Sequence, residues 1–408
     1  MIAHQSATYE QAVTEYSRRY GRHPPPNFEH WFAYAKAVSS PIIDDYDVLD
    51  DAISPLLRSS GAEIRKTMDH ELEWQDLHER NAWQELVVDQ CRGSEHPQRS
   101  HPDLVSLSNE HKVFGLVQDN FNALALCDHL EWEHAHGFWE SAASLKVARA
   151  PLPVLSAAVI STMNDIPFPA RAYTHSAYAY DEAEVVEYEK KSHGLYWAGK
   201  TTGGFQQVTA TDWVPLHRQR FVSLANDQDA EAQTFLRREK DDGLWKLASG
   251  PLNKTMFNVH FTDVVQCATD ACDVQRKYFD VIKAEPRKKA LEYTLVFDAD
   301  GNGHSARYYR FVQSRSLPLK QTIFREWHDD RLQPWLHYVP ISLEMTELPE
   351  VVRYFVEEEE GRALAKELAL AGREWAQKSM RPEDQVVYLY RLLLELARVQ
   401  DPERPASK

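Results

Sequence analysis

Apolar residues recur at helical spacing from Tyr9 to Tyr20, and the Pro24-Pro25-Pro26 run that follows cannot continue a helix. This predicts one helix over that stretch and a second, aromatic one in NFEHWFAYAKAV. From Asp44 to Cys91 the pattern stays helical and heavily charged, and the Gly, Ser, His and Pro residues of 93–102 mark a loop.

The period then changes. PLPVLSAAVISTMNDIPFPARAY reads as a short buried strand, a turn and a Pro-punctuated loop. HGLYWAGKTTGGF reads as a strand ending in a small, hydroxyl-rich turn, with the helix-compatible WVPLHRQRFVSLAND a few residues beyond. LEYTLVFD is a further strand that runs into the loop ADGNGHSA and then RYYRFVQSRS, and SLPLKQTIF is a buried strand after it. The last quarter is helical, in segments that open on Pro, Gly or acidic residues, and the Glu357 to Glu360 run is a solvated helix face. Strands alternating with helices define an α/β chain.

Length and composition narrow this further. At 408 residues the chain is expected to hold two domains, and 43% hydrophobic with 11% aromatic residues is enough to bury a core. The formal net charge of −16 repels phosphate backbones and anionic lipid, so nucleic acid and membrane surfaces are poor partners. The first residues lack an apolar signal region, and no run is long enough to span a membrane. The four cysteines do not make a disulfide scaffold; Cys267 and Cys272 are either a local bridge in an oxidising lumen or two small core residues.

Several candidate motifs reduce to structural readings. Asp298, Asp300, Asn302 and Gly303 fit the first half of a calcium loop, but position twelve is Tyr309 and the preceding segment is a strand, which leaves a tight turn. Cys127, Asp128, His129, His134 and His136 match no metal-ligand spacing and read as polar packing. No nucleophile elbow, Walker loop or dinucleotide fingerprint occurs. What remains is chemistry that suits phosphate: the turn Gly199-Lys200-Thr201-Thr202-Gly203-Gly204, together with Arg218, Arg220, Ser305, Arg307 and Lys320. Strand, Gly-rich turn and helix is the arrangement that presents backbone N–H groups to an anion, which points to an anionic small-molecule ligand.

The stretch from Asp298 to Ile341 resembles the CAP10 (capsule-associated protein) family, glycosyltransferase family 90, in its fungal-type branch. The blocks EYSRRYGRHPPPNFEHWFAYA, CDHLEWEHAHGF, PVLSAAVISTMNDIPFPARAY, LYWAGKTTGGF, HRQRFV and PEDQVVYLYRLLLELA agree in order. This resemblance implies a GT-B architecture: a helical extension (1–43), a Rossmann-like acceptor-side domain (44–188), a Rossmann-like donor-binding domain (189–378) and a last helix (379–408) that crosses back to the first domain.

The implied activity is inverting transfer of xylose or glucose from a UDP-sugar to a glycan or protein hydroxyl, with no obligatory metal and a secretory or Golgi address. Ser305 and Arg307 would bind the diphosphate, with Gly199, Lys200, Thr201 and Thr202 as the second wall; Lys200 would replace an Arg that relatives often carry at Ala198. Trp197 and Glu326 are the aromatic face and carboxylate that a uridine and its ribose require. The family's catalytic Asp is missing where it is expected: His101-Pro102-Asp103-Leu104 leads to Asn109-Glu110-His111-Lys112, which leaves Glu110 as the nearest acid. A catalytically inactive protein that binds a sugar nucleotide or glycan is the alternative.

Overall fold

The computed structural model describes residues 5–69, 75–76, 84–93, 116–117, 125–140, 146–147, 152–175, 180–206, 213–239 and 244–407. Glu110 and Lys112 lie outside these residues.

The chain opens with α1 (Tyr9–Tyr20) and α2 (Phe28–Ala37), where the apolar spacing predicts them. At the start of α1 the Thr8 hydroxyl accepts from Gln11 N while the Gln11 side chain accepts from Thr8 N, a reciprocal cap. Gly21 ends the helix at φ 64°, a left-handed turn that favours glycine.

The centre of the molecule is one sheet of five parallel strands: β1 (Ser192–Lys200), β2 (Phe257–Asp263), β3 (Tyr293–Ala299), β4 (Leu317–Gln321) and β5 (Val339–Pro340). Their spatial order is β5-β4-β3-β1-β2, so the chain reverses direction across the sheet between β1 and β3. The inner strands are covered on both faces, which is why they read as near-continuous apolar runs: Leu295, Val296, Phe297, Leu317 and Leu319 are all fully buried. On one face α3 (His217–Ala225) stacks Phe221 on Phe297, 3.9 Å between ring centroids.

The C-terminal quarter is helical, as its pattern predicts: α4 (Leu348–Glu357), α5 (Glu359–Ser379) and α6 (Pro382–Val399). Helix α6 packs against α1 and α2 at the other end of the sequence. Trp31 Nε1 donates to Val387 O at 3.0 Å, Tyr16 Oη donates to Glu395 at 2.9 Å, and the buried Arg391 guanidinium lies 4.4 Å from the Tyr16 ring centroid and 4.9 Å from that of Trp31.

Two features differ from the sequence reading. The segment read as one buried strand is two strands of two residues, Leu155–Ser156 and Ile166–Pro167, paired in parallel; Leu155 is exposed, whereas Val159 and Ile160 supply the burial. An antiparallel hairpin of Gln233–Arg238 with Trp245–Gly250, and strand β2, lie in segments to which the sequence reading assigns no element, although FNVHFT in β2 alternates apolar and polar residues and buries Val259 and Phe261. All four cysteines are bridged, Cys91 to Cys127 and Cys267 to Cys272, which decides between the two readings of the second pair. Among the described residues no helix is long and apolar enough to cross a membrane.

Candidate functional site

In an open parallel sheet the ligand crevice forms beyond the carboxyl ends of the strands, where the strand order reverses. Here that point lies beyond β1 and β3. The turn after β1 (residues 201–204) and the turn after β3 (residues 300–305) meet there: Gly203 N donates to Asn302 Oδ1 at 3.0 Å and to Gln266 Oε1 at 3.1 Å. A cavity of about 400 Å3 opens at this junction, lined by Gly203, Gly204, Asn302 and His304 of the two turns and by Ser156 and Asp165. Its apolar floor includes Phe138, Ile160 and Phe324.

The crevice is held by a buried polar layer. His136 and His217 stack with centroids 3.8 Å apart and 4° between planes. Gly137 N donates to His217 Nδ1 and Phe138 N donates to His136 Nδ1, so each ring carries its proton on Nε2. His217 Nε2 donates to Asp300 O at 3.0 Å, and His136 Nε2 faces Asp300 Oδ2 at 3.4 Å. Burial, reinforced by nearby Arg218, pushes both imidazoles well below the usual range, and burial raises Asp300 to about 7. Two neutral rings and a carboxylate thus lock the β3 turn to the 136–138 segment.

The sequence-derived candidates fall into two groups. Around Trp197, which is buried, the guanidinium carbons of Arg218 and Arg307 lie 5.6 and 5.5 Å from the ring. Arg307 donates to Ala198 O at 2.8 Å. Gly199 makes this packing feasible, because a Cβ there would meet the Trp197 ring at 2.7 Å and Arg307 Nη2 at 3.3 Å. Arg218 donates to Asp300 O, Lys200 O, Thr202 Oγ1 and Ala299 O at 2.6, 2.8, 2.7 and 3.2 Å, so it clamps the two turns together. Thr201 is buried and bonds both Val265 O and Val265 N, which ties the β1 turn to the chain beyond β2. Lys200 is half-exposed and pairs with Asp263 at 2.9 Å.

The second group sits behind the β3 turn. Lys320 is buried and pairs with Glu326 at 3.1 Å and Asp298 at 3.5 Å, with its ammonium 3.9 Å from the Tyr308 ring centroid. Burial opposes ionisation of Glu326, but Lys320 and then His328 hold it down to about 2, and Tyr173 Oη donates to it. Burial raises Asp298, against the pull of Lys320 and the Ser305 hydroxyl. Ser305 is itself buried. Arg220 stands apart, donating to Pro215 O, Ala135 O and Leu343 O.

Gly203, Gly204, Asn302, Gly303 and His304 of the two turns line the cavity, whereas Ser305, Arg307, Arg218, Arg220, Lys320 and Glu326 are not among its described lining residues; of these, Arg218 ties the two turns together. Sequence reading assigned no chemistry to Asp165, His217 or His304. Asp165 stands in a Pro-flanked loop without a motif, and the pairing of His136 with His217 joins residues far apart in the chain. Among the described residues no three His, Cys, Asp or Glu side chains converge as a metal-ligand set.

The fold is an α/β one with a crevice at the carboxyl end of its parallel sheet. Residues 137–407 match the model of glycosyl transferase family 90, and the chain belongs to that family, the CAP10-like glycosyltransferases. It is 31% identical over 124 residues to an O-glucosyltransferase rumi homolog of Aedes aegypti (28% of this chain, 30% of that protein). It is 26% identical over 214 residues to protein O-glucosyltransferase 2 of Danio rerio (52% of this chain, 34% of that protein). With a rumi homolog of Anopheles gambiae it shares 24% identity over 276 residues (64% of this chain, 58% of that protein). The matched regions thus span between 30% and 58% of the length of these relatives.

Proposed function

We propose that this chain transfers glucose or xylose from a UDP-sugar to a hydroxyl of a protein or glycan, with inversion at the anomeric carbon. The observation that carries the reading is the crevice where the β1 and β3 turns meet, lined in part by Gly203, Gly204, Asn302 and His304, with Arg307 held against Trp197 and Ala198 O at the end of β1. Departure of UDP builds negative charge on the β-phosphate, and Arg307 with the backbone N–H groups of the two turns offsets that charge without an obligatory metal. The names of the relatives, O-glucosyltransferases, support glucose as one donor sugar.

A GT-B arrangement follows from this reading: the described five-stranded sheet is the donor-side domain, and the segments before it face it across the cavity. The two disulfides support folding in an oxidising lumen, in keeping with a secretory address. UDP binding tests the donor site. Wild-type protein should gain thermal stability with UDP, and Arg307→Ala should lose that gain while keeping its own melting temperature within a few degrees. No gain with UDP would reject the assignment.

A further inference from the structure

The transfer requires a group that removes the acceptor proton, and the described lining of the cavity offers one carboxylate. Among its described lining residues Asp165 is the single acid, and His304 is the single other titratable side chain. Asp165 lines the same cavity as the glycine turns, immediately before the two-residue strand Ile166–Pro167, and that strand pairs with Leu155–Ser156. The pairing brings Ser156 onto Asp165, and the Ser156 hydroxyl donates to Oδ2. Among the described residues Oδ1 has no partner, so the carboxylate is fixed through one oxygen and keeps the other for a ligand.

We propose that Asp165 is the general base of the transfer, in the cavity that it lines together with the Gly203-Gly204 and Asn302–His304 turns. This rests on the glycosyltransferase reading above. The acceptor O–H gives its proton to Asp165 Oδ1, and the oxygen lone pair forms the new bond to the anomeric carbon. The bond from that carbon to the β-phosphate oxygen breaks, and its electron pair leaves with UDP. The protonated Asp165 then returns its proton to solvent. Partial burial raises the Asp165 pKa, which strengthens it as a base, and the Ser156 hydrogen bond restrains the rise.

The test uses the full chain, with UDP release from UDP-glucose and UDP-xylose measured in the presence of sugar and peptide hydroxyl acceptors. Asp165→Asn keeps the side-chain shape and a partner for Ser156. It should lower kcat/KM by roughly 10²–10⁴-fold while leaving the UDP-induced thermal shift in place. Asp165→Glu keeps a carboxylate and should retain at least about tenfold more activity than Asp165→Asn. Its acid limb of kcat/KM should also move relative to wild type, a change that a purely structural role would not produce. Asp165→Asn within threefold of wild type would overturn the assignment, and so would an unmoved acid limb in Asp165→Glu if the Asn variant fails to fold. Loss of activity in Glu110→Gln with Asp165→Asn still active would move the base to Glu110. A wild type that binds UDP but turns over neither donor would also overturn it, whereas a wild type that fails to bind UDP would reject the donor reading itself.

Discussion

Gly204 and Gly137 pack backbone against backbone: a Cβ on Gly204 would lie 2.2 Å from the Gly137 carbonyl oxygen, and one on Gly137 would lie 2.4 Å from Gly203 O. No side chain fits on either residue, so the β1 turn and the 136–138 segment are held at a fixed separation, with the His136–His217 stack beside them.

Gly204→Ala should therefore separate the two segments. We expect it to lower stability by about 1–3 kcal/mol, the usual cost of overpacking where backbone must shift, read as a lower melting temperature. UDP binding should weaken in parallel, because the same turn walls the cavity. An unchanged melting temperature would mean that the crossing is looser than 2.2 Å requires.

Arg218 is the second constraint on the crevice. Burial brings its pKa down to about 9, yet four oxygen acceptors from the two turns surround the guanidinium. Arg218→Ala would leave those acceptors unpaired and should cost about 3 kcal/mol or more, with Arg218→Lys intermediate because an ammonium cannot span all four. Chemical denaturation with a constant m-value would check both.

Stability should also depend on pH through Asp330, which is buried and accepts from Val48 N at 2.9 Å. Burial raises its pKa to about 8, well above the value of roughly 3.9 in an unfolded chain. A raised folded-state pKa means that the native protein binds the extra proton. Its contribution is therefore fully present below about pH 4 and is lost as pH rises towards 8. Asp330→Asn should remove this dependence, so the difference in unfolding free energy between wild type and variant should change steadily between those limits. A constant difference would show that Asp330 ionises normally.

The two disulfides should differ in weight. Cys91–Cys127 closes a separation of 36 residues and Cys267–Cys272 one of 5. Loop-closure entropy then gives about 4 kcal/mol for the first and about 2 kcal/mol for the second. Replacing each pair by Ala and comparing melting temperatures should rank them in that order.

The strands that form the site were legible because they are buried on both faces: LYWAG, TLVFDA and LPLKQ are apolar enough to stand out, and a turn of Gly, Thr or Asn follows two of them. The edge strand β2 is the short alternating run FNVHFT, which was legible as a half-covered strand but lacks the continuous apolar stretch that marks the inner strands. Resemblance drew attention to the turns after β1 and β3, which do meet at the cavity. It could not distinguish side chains that line a cavity from those that hold its wall. Arg218 and Lys320 look like phosphate ligands in a sequence, but one is surrounded by carbonyls of its own turns and the other by two buried carboxylates. Asp165 is the converse case. No spacing marks it, and only the pairing of Leu155–Ser156 with Ile166–Pro167 brings it to the cavity.

The most direct test of the central claim is UDP release by purified protein supplied with UDP-glucose or UDP-xylose, compared with Arg307→Ala and with heat-inactivated protein. The account predicts release from at least one donor, proportional to enzyme and lost in Arg307→Ala. Release from neither donor, together with no thermal shift by UDP, would contradict it.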